Sequence, residues 1–456
     1  MRHSSEIDMC SGPLAGSLLR FSIPLMASSI LQLLFNAADI IVLGQFASSS
    51  AMAAVGATSS LNSLMVNLFL GLSIGCSVVM ARSYGAQDWQ RVHDTVHTAL
   101  LLAVCCGAVL ILAGVPLLPA LLRWMDTPPD LLDQSVLYMR IVFLGMPAMM
   151  IYDFGAGILR AIGDTQRPLF FLTAAGVTNA CLNVFFVVAF HLDVAGVALA
   201  TSLSQYLSAF LVVRCLMQPD TRYQLRLREL KISAPILLQI VRVGLPAGIQ
   251  SVVFSISNVL IQSSINTFGT LAVAGSTAAA NIENFVYTAM NAIYQAALNF
   301  TSQNVGAGRP DRVRRGMKFG VVASALLAEG VGVGMYLLAP WLIGAFNSEA
   351  AVIAFGVRQA RTVALFYCLL AFSHCCAGIL RGLGRPMVPM AVMLAVWCAL
   401  RITYITVTLR FIPQIGVIFW AYPITWTISS VIFAWYLAHC PLPSPGGGAP
   451  LHKEHV

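Results

Sequence analysis

Two segments decide how this chain is organised: Ala156-Gly-Ile-Leu-Arg-Ala-Ile-Gly-Asp-Thr-Gln-Arg-Pro168 and Ala377-Gly-Ile-Leu-Arg-Gly-Leu-Gly-Arg-Pro-Met-Val-Pro389. They match at seven of 13 positions with an offset of 221. At the same offset Gly85-Ala86 and Arg91-Val92 return as Gly306-Ala307 and Arg312-Val313. At 222, Arg20, Pro24 and Asn36 return as Arg242, Pro246 and Asn258. The sequence is a duplication, and each copy must be a folding unit of about 200 residues.

Composition says what kind of unit. Of 456 residues, 58% are hydrophobic and 10% charged, against about 25% charged in a soluble domain. Several soluble cores could not be covered by so little polar surface. Disorder, collagen and coiled coil fail on the same figures. Apolar runs of membrane-spanning length, about 17–25 residues, occur at roughly 17–44, 51–81, 93–117, 133–157, 166–190, 194–216, 235–264, 272–303, 316–340, 354–379, 387–409 and 414–438. The expected fold is an all-α polytopic membrane protein with 12 transmembrane helices. Six helices per copy is an even number, so the repeats run parallel, about an axis along the membrane normal. The first run is too long for a signal-peptide core and is expected to be retained. The expected organisation is a cytoplasmic N-terminus (1–16), an amino-terminal lobe (17–216), a basic cytoplasmic linker (217–234), a carboxy-terminal lobe (235–438) and a Pro/Gly-rich disordered tail (439–456).

With both termini cytoplasmic, 20 of the 26 Lys and Arg residues face the cytoplasm; Arg123, Arg140, Arg358, Arg361 and Arg410 face outward, and Arg401 lies inside a helix. This is the positive-inside pattern of a multi-pass membrane protein. It accounts for the formal charge of +8 without nucleic acid. The eleven cysteines have no CxxC spacing and mostly sit in apolar runs, as small packing residues. Gly71-Leu-Ser-Ile-Gly75 matches GxSxG but lies within an apolar helix, so it reads as a GxxxG packing face. With no P-loop and no HExxH, the chain is expected to be neither an ATPase nor an enzyme, and to need no cofactor and no metal beyond a coupling ion. Two six-helix halves about one axis are transporter architecture.

A charge at mid-membrane costs about 2.5–3.5 kcal/mol, so intramembrane ionisable residues are the first functional candidates. Asp39 lies in the outer half of helix 1, with Asn36 a turn away. Asn179 and Asn183 lie at similar depth in helix 5, and Thr201 in helix 6. These oxygens suit a hard cation, or a carboxylate that exchanges a proton; they would also serve as an interhelical hydrogen-bond cluster. Helix 8 carries Glu283 beside a polar stripe of Asn281, Asn284, Thr288, Asn291 and Gln295, flanked by Tyr287 and Tyr294. Joined by Asn258, this set is expected to line a cavity for lipophilic cations. Glu329 and Arg401 are secondary charged sites, with Arg401 expected in an ion pair to Glu329 or Glu283; Glu329, beside Gly330, Gly332 and Gly334, would equally serve in an interhelical hydrogen bond. Asp153 is expected to pair with Arg160, two turns on, and His374 to be a packing histidine.

The chain resembles the multidrug and toxic compound extrusion (MATE) family, most closely its bacterial small multidrug pumps. The resemblance spans about 12–438. It rests on Arg20-Phe-Ser-Ile-Pro24, Asn36-Ala-Ala-Asp39, Gly85-Ala86 with Gly306-Ala307, and the paired Ala-Gly-Ile-Leu-Arg segments. It implies a V-shaped pair of six-helix lobes that act as a monomer by alternating access. It also implies export of amphipathic or cationic drugs in exchange for Na+ or H+. Asp39 would match the family's helix 1 acid, and Asn179 and Thr201 its partners. Some archaeal members carry a second Asp where this chain has Asn183. Others use a helix 7 Glu near Phe254, which this chain lacks and Glu283 would replace. Pro24 would match a proline linked to helix bending. The alternatives are a lipid-linked oligosaccharide flippase of the same superfamily, a major-facilitator transporter, or a membrane-embedded receptor or enzyme. Twelve helices and scarce cavity Lys/Arg disfavour the flippase. The basic loop expected after helix 2 of a major facilitator is missing from 81–88. A receptor or enzyme would need a sensing domain or a nucleophile–base pair.

Overall fold

The structure, a computed structural model, describes residues 6–125, 127–219, 221–346 and 349–441. Most of the expected tail, from 442 to 456, lies outside them. The described residues form twelve long helical stretches, one short 3-10 turn at Leu227–Glu229 and no strand. These are α1 (Leu14–Phe46), α2 (Ser49–Gly85), α3 (Trp89–Trp124), α4 (Pro129–Ala161), α5 (Gln166–Ala189), α6 (Asp193–Leu216), α7 (Ala234–Asn266), α8 (Thr270–Gly306), α9 (Pro310–Gly344), α10 (Ala350–Ala364 then Tyr367–Gly382), α11 (Met387–Phe411) and α12 (Gly416–His439). Ten are individually long and apolar enough to cross a membrane, and α10 makes an eleventh if its two segments, bent by 55°, are one span. The remaining one, α8, has 37 residues. Its Asn281, Glu283, Asn284 and Asn291 give it the polarity that sets it apart.

Helix ends follow from local chemistry. Ser48 caps α2 by accepting from the Ala51 N–H at 3.2 Å, and the Asp193 carboxylate at the start of α6 accepts from the Ser48 N–H (2.8 Å) and hydroxyl (2.6 Å). The fully buried Asp164 accepts from the Gln166 and Arg167 N–H groups at 3.2 and 3.1 Å, satisfying donors that a helix start leaves unpaired. Before it, Gly163 has φ +94°, and a Cβ there would lie 2.2 Å from the Ile7 carbonyl oxygen. Only glycine fits. π-helical turns interrupt α3 at Leu110–Gly114, end α5 at Val184–Ala189 and occupy Leu394–Leu400 of α11.

Contacts divide the described chain into two compact units. One gathers Ile23–Gly248 with the residues up to Asp8; the other gathers Met9–Ser22 with the chain from Ile249 onward. The first unit is built on Val92, Val96, Met150, Phe154, Ile158 and Val212, and on Tyr223 and Leu225 of the 217–234 segment. That segment is therefore docked: the Tyr223 hydroxyl accepts from Arg167 Nη1 at 2.9 Å. Gly71 and Gly75 of α2 meet Gly244 and Gly248 of α7 so closely that a Cβ at Gly71 would sit 2.2 Å from the Gly248 nitrogen. The GxxxG face is thus a backbone-to-backbone contact. In the second unit, Ile261, Ile265, Ile405, Ile418 and Phe419 form one buried cluster. Large apolar residues such as Leu112, Trp341 and Phe411 stand 77%, 74% and 80% exposed, the outward polarity of a chain solvated by lipid. All eleven cysteines are free, six of them buried.

Candidate functional site

In the first unit α1 and α5 meet through Asp39. Its Oδ1 accepts from Asn179 Nδ2 at 2.8 Å and from Asn183 Nδ2 at 2.5 Å. The two asparagines are four residues apart, so one face of α5 presents both amides. Asn183 is fully buried and Asn179 nearly so. Each commits its nitrogen to the carboxylate, and each Oδ1 is buried without a hydrogen-bond partner. An unpaired buried carbonyl costs about 1–3 kcal/mol, so two of them beside a carboxylate form a set of hard oxygens able to take a cation. Tyr138 of α4 lies within electrostatic reach of Asp39 and was not foreseen; a tyrosine in an apolar run carries no signal of its own.

Asn36 and Thr201 are placed differently. They line a cavity of 290 Å³ together with Gln32, Asn62, Ser63, Asn67 and Gln205. The cavity begins a turn along α1 from Asp39. Of the five residues expected to share one cluster, Asp39, Asn179 and Asn183 are bonded together, while Asn36 and Thr201 face this uncharged hollow, whose wall also includes Val66, Val142, Met146 and Met149.

In the second unit Glu283 accepts from Gln359 Nε2 of α10 at 3.3 Å. Gln359 is buried, and its own Oε1 has no partner. Asn281, Asn284 and Asn291 are exposed, as is Asn258, while Thr288 and Gln295 are half-buried. Tyr294 belongs elsewhere: it is 5% exposed, and its hydroxyl accepts from Arg381 Nη1 at 2.5 Å, while Arg381 Nη2 donates to Gln250 Oε1 at 2.6 Å. This clamp takes Tyr294 out of the expected cavity wall. Tyr287 stands edge-on to His374, whose ring lies 5.4 Å from Trp397. Phe254 packs 6.1 Å from the same Trp397. His374 Nδ1 is 3.2 Å from the Leu370 carbonyl, as a packing histidine requires.

Three expectations are corrected. Arg401 has no carboxylate partner among the described residues. It is fully buried and donates through Nε and Nη2 to Thr425 Oγ1 at 3.0 and 2.6 Å, with Nη1 unpartnered. Its guanidinium lies 4.4 Å from the Tyr422 ring centroid and 5.6 Å from that of Trp397. Ring quadrupoles take the place of the anion. Glu329 does not meet Arg401 either: Oε2 accepts from the Cys368 N–H at 3.3 Å, capping the second segment of α10 at its break. Asp153 and Arg160 lie within electrostatic reach of each other but make no direct ion-pair contact; Asp153 Oδ2 and Arg160 Nε are each buried without a hydrogen-bond partner.

The MatE family model matches residues 24–185 and again 246–407. This chain belongs to the MATE family. Its two matches are offset by 222 residues, the spacing that the duplication gives. Among curated relatives, this MATE chain is 26% identical over 414 residues to "Probable multidrug resistance protein YpnP" of Bacillus subtilis, covering 90% of this chain and 92% of the relative. It is 26% identical over 392 residues to "Probable multidrug resistance protein NorM" of Thermotoga maritima, covering 84% and 83%. A solved structure described as the outward-facing conformation of a multidrug resistance MATE family transporter superposes with TM-score 0.89 at 22% identity, over 96% of this chain and 98% of that one. A MOP superfamily transporter from Pyrococcus furiosus, described as having a binding pocket of reverse polarity, superposes with TM-score 0.88 at 23% identity, over 96% and 98%. These likenesses establish the fold.

Proposed function

We propose that this MATE chain is a secondary antiporter that exports amphipathic or cationic drugs by alternating access, in exchange for Na+ or H+ taken at Asp39. The supporting observation is the pair of buried, unpartnered Asn179 and Asn183 oxygens beside the Asp39 carboxylate. A bound Na+ would draw on those oxygens; a proton would instead neutralise the carboxylate while the amide nitrogens keep their contacts. Either ion changes the charge of a buried group, and a ligand shifts a conformational equilibrium only through such a differential interaction. The cavity carrying Asn36 and Thr201 opens onto the same helix, so substrate or solvent there would sense the state of Asp39. Glu283 supplies the second unit's attraction for cations, with Tyr287 as its aromatic neighbour. The relatives' names, as multidrug resistance proteins, support drugs as the cargo.

In this reading the halves 17–216 and 235–438 are the lobes, joined by 217–234. The protein works as a monomer in a bacterial inner membrane with both termini cytoplasmic, binding small organic cations and lipid and no nucleic acid. The test is dye exchange in proteoliposomes under separately imposed Na+ and H+ gradients. Export driven by one gradient and lost in Asp39→Asn is expected. Export that ignores both gradients would overturn antiport.

A further inference from the structure

One cluster of metal-ligating side chains stands apart from the residues discussed so far. His93 and His97 lie four residues apart at the start of α3 and share a face. Their rings stack with centroids 4.0 Å apart and planes tilted by 32°. The 217–234 segment lies against them, with Glu229 Oε2 2.8 Å from His93 Nε2. The Arg226 N–H donates to His97 Nε2 at 3.1 Å. One donor atom from each of His93, His97 and Glu229 lies within 4.8 Å of the other two.

The ring orientations suit a cation. His97 is 1% exposed, and its Nδ1 is 2.7 Å from the His93 carbonyl oxygen. Nε2 accepts from the Arg226 N–H, so Nδ1 carries the proton in this arrangement; Nε2 points to the 217–234 segment and also lies 3.2 Å from the Arg226 carbonyl oxygen. A ring N–H on a backbone carbonyl is how metal-binding histidines are fixed in their tautomer. The Arg226 guanidinium donates to Glu229 Oε1 at 3.1 Å, so the carboxylate is held with Oε2 toward His93. Around these groups stand Asp94, with Oδ1 3.6 Å from His93 Nδ1, and Arg226. His93 Nδ1 itself is buried and makes no hydrogen bond.

We propose that His93, His97 and Glu229 form a site for a divalent transition-metal ion, of the Zn2+, Co2+ or Ni2+ class, that clips the segment joining the two repeats onto α3. Two imidazoles and one carboxylate are a donor set for such ions, and the i, i+4 histidine pair on a helix is the usual bidentate element. Loading exchanges three existing contacts for bonds to the ion. The Arg226 N–H leaves His97 Nε2, and the direct His93–Glu229 contact opens. The Arg226 guanidinium releases one carboxylate oxygen, and water completes the shell. Tetrahedral bonds of about 2 Å space ligand atoms about 3.3 Å apart, so the His93–Glu229 pair opens slightly while wider donor separations close, by at most about 1.5 Å. The segment is already anchored by buried Tyr223 and Leu225, so little ordering entropy opposes binding.

The test uses the full chain, purified without a polyhistidine tag and stripped with chelator, then titrated with Zn2+ and Co2+. One equivalent per chain is expected, with the visible absorption of four-coordinate Co2+. His93→Asn and Glu229→Gln should each weaken Zn2+ by more than about tenfold. His452→Ala with His455→Ala should leave it unchanged. Zn2+ should also slow trypsin at Arg222, Arg226, Arg228 and Lys231 in the wild type but not in Glu229→Gln. His93→Asn and Glu229→Gln avoid the buried His97, and the unfolding midpoint of each metal-free variant is compared with the wild type to check its folding. No stoichiometric binding at 100-fold excess over protein, or unchanged binding in both variants, would overturn the site and leave a hydrogen-bonded clasp. Dye export plays no part in the readout, so this test fails or succeeds independently of antiport.

Discussion

The two repeats handle the same helix pair in opposite ways. The offset of 222 between the family matches puts Ile261 where Asp39 stands, Arg401 where Asn179 stands and Ile405 where Asn183 stands. In the first unit these positions hold a carboxylate gripped by two amides. In the second, Ile261 and Ile405 share one buried hydrocarbon cluster, and Arg401 is held by Thr425 and two aromatic rings. Backbone duplication therefore does not duplicate chemistry. A helix crossing can be sealed by hydrocarbon at no polar cost, or by charge only where every partner is supplied. One copy keeps a negative group at this crossing, and the other a positive one. Under the proposed antiport, a single acid there would give one ionic switch per chain instead of two.

The sharpest way to break that comparison is Asp39→Asn. The amide keeps the shape and an acceptor for the Asn179 and Asn183 nitrogens, so the unfolding midpoint should move by only a few degrees. Gradient-driven dye export from vesicles should fall by about 100-fold or more, because most of the differential ion affinity goes with the charge. Near-normal export would move the coupling ion into the second unit. Placing the acid at the second-copy position, Ile261→Asp in the Asp39→Asn background, should not restore export, since the amide partners are absent there.

A smaller effect is expected at Glu283→Gln. Removing one negative charge should lower transport of cationic dyes by about tenfold, worth about 1.4 kcal/mol, and leave neutral substrates within twofold. Parallel export assays on both substrate classes read this directly. Equal losses in the two would mean that Glu283 supports the fold rather than attracting cations.

Thr425→Val tests the fixed positive group. It removes the oxygen that accepts from both Nε and Nη2 of a buried guanidinium, which costs about 1.5–3 kcal/mol. The expected result is a lower unfolding midpoint in detergent with the ion preference of export unchanged. A changed ion preference would give Arg401 a part in coupling. The smallest effect belongs to Glu329→Gln. The Cys368 N–H keeps an amide oxygen in place of a carboxylate, so stability should fall by about 1 kcal/mol or less, with transport intact.

Much of this was legible in the sequence for a simple reason. Lipid imposes one rule on the backbone, so apolar length and the placement of Lys and Arg read out helices directly. The duplication at 221–222 then paired them. Asp39 was legible because an acid in a 28-residue apolar run (17–44) is costly unless used, and Asn179 and Asn183 because a four-residue spacing puts them on one face. Glu329 and Arg401 were equally visible as charges, yet their partners were not. A guanidinium can be satisfied by a hydroxyl and two rings as well as by an acid, and nothing in the local sequence says which neighbour arrives. The His93–His97 spacing was present too, but its third member lies more than 130 residues away.

The sequence by itself determined the membrane class, the helix pattern, the duplication and the first acid, because each rests on composition or on spacing within one helix. Tertiary structure decided which polar groups meet. It bonded Asp39 to two amides and turned Asn36 and Thr201 to a cavity. It buried Tyr294 against Arg381, set Glu329 on the α10 break and docked the 217–234 segment on α3. Those outcomes depend on crossings between helices far apart in the chain, where a rotation of one residue, about 100°, turns a side chain to a different neighbour.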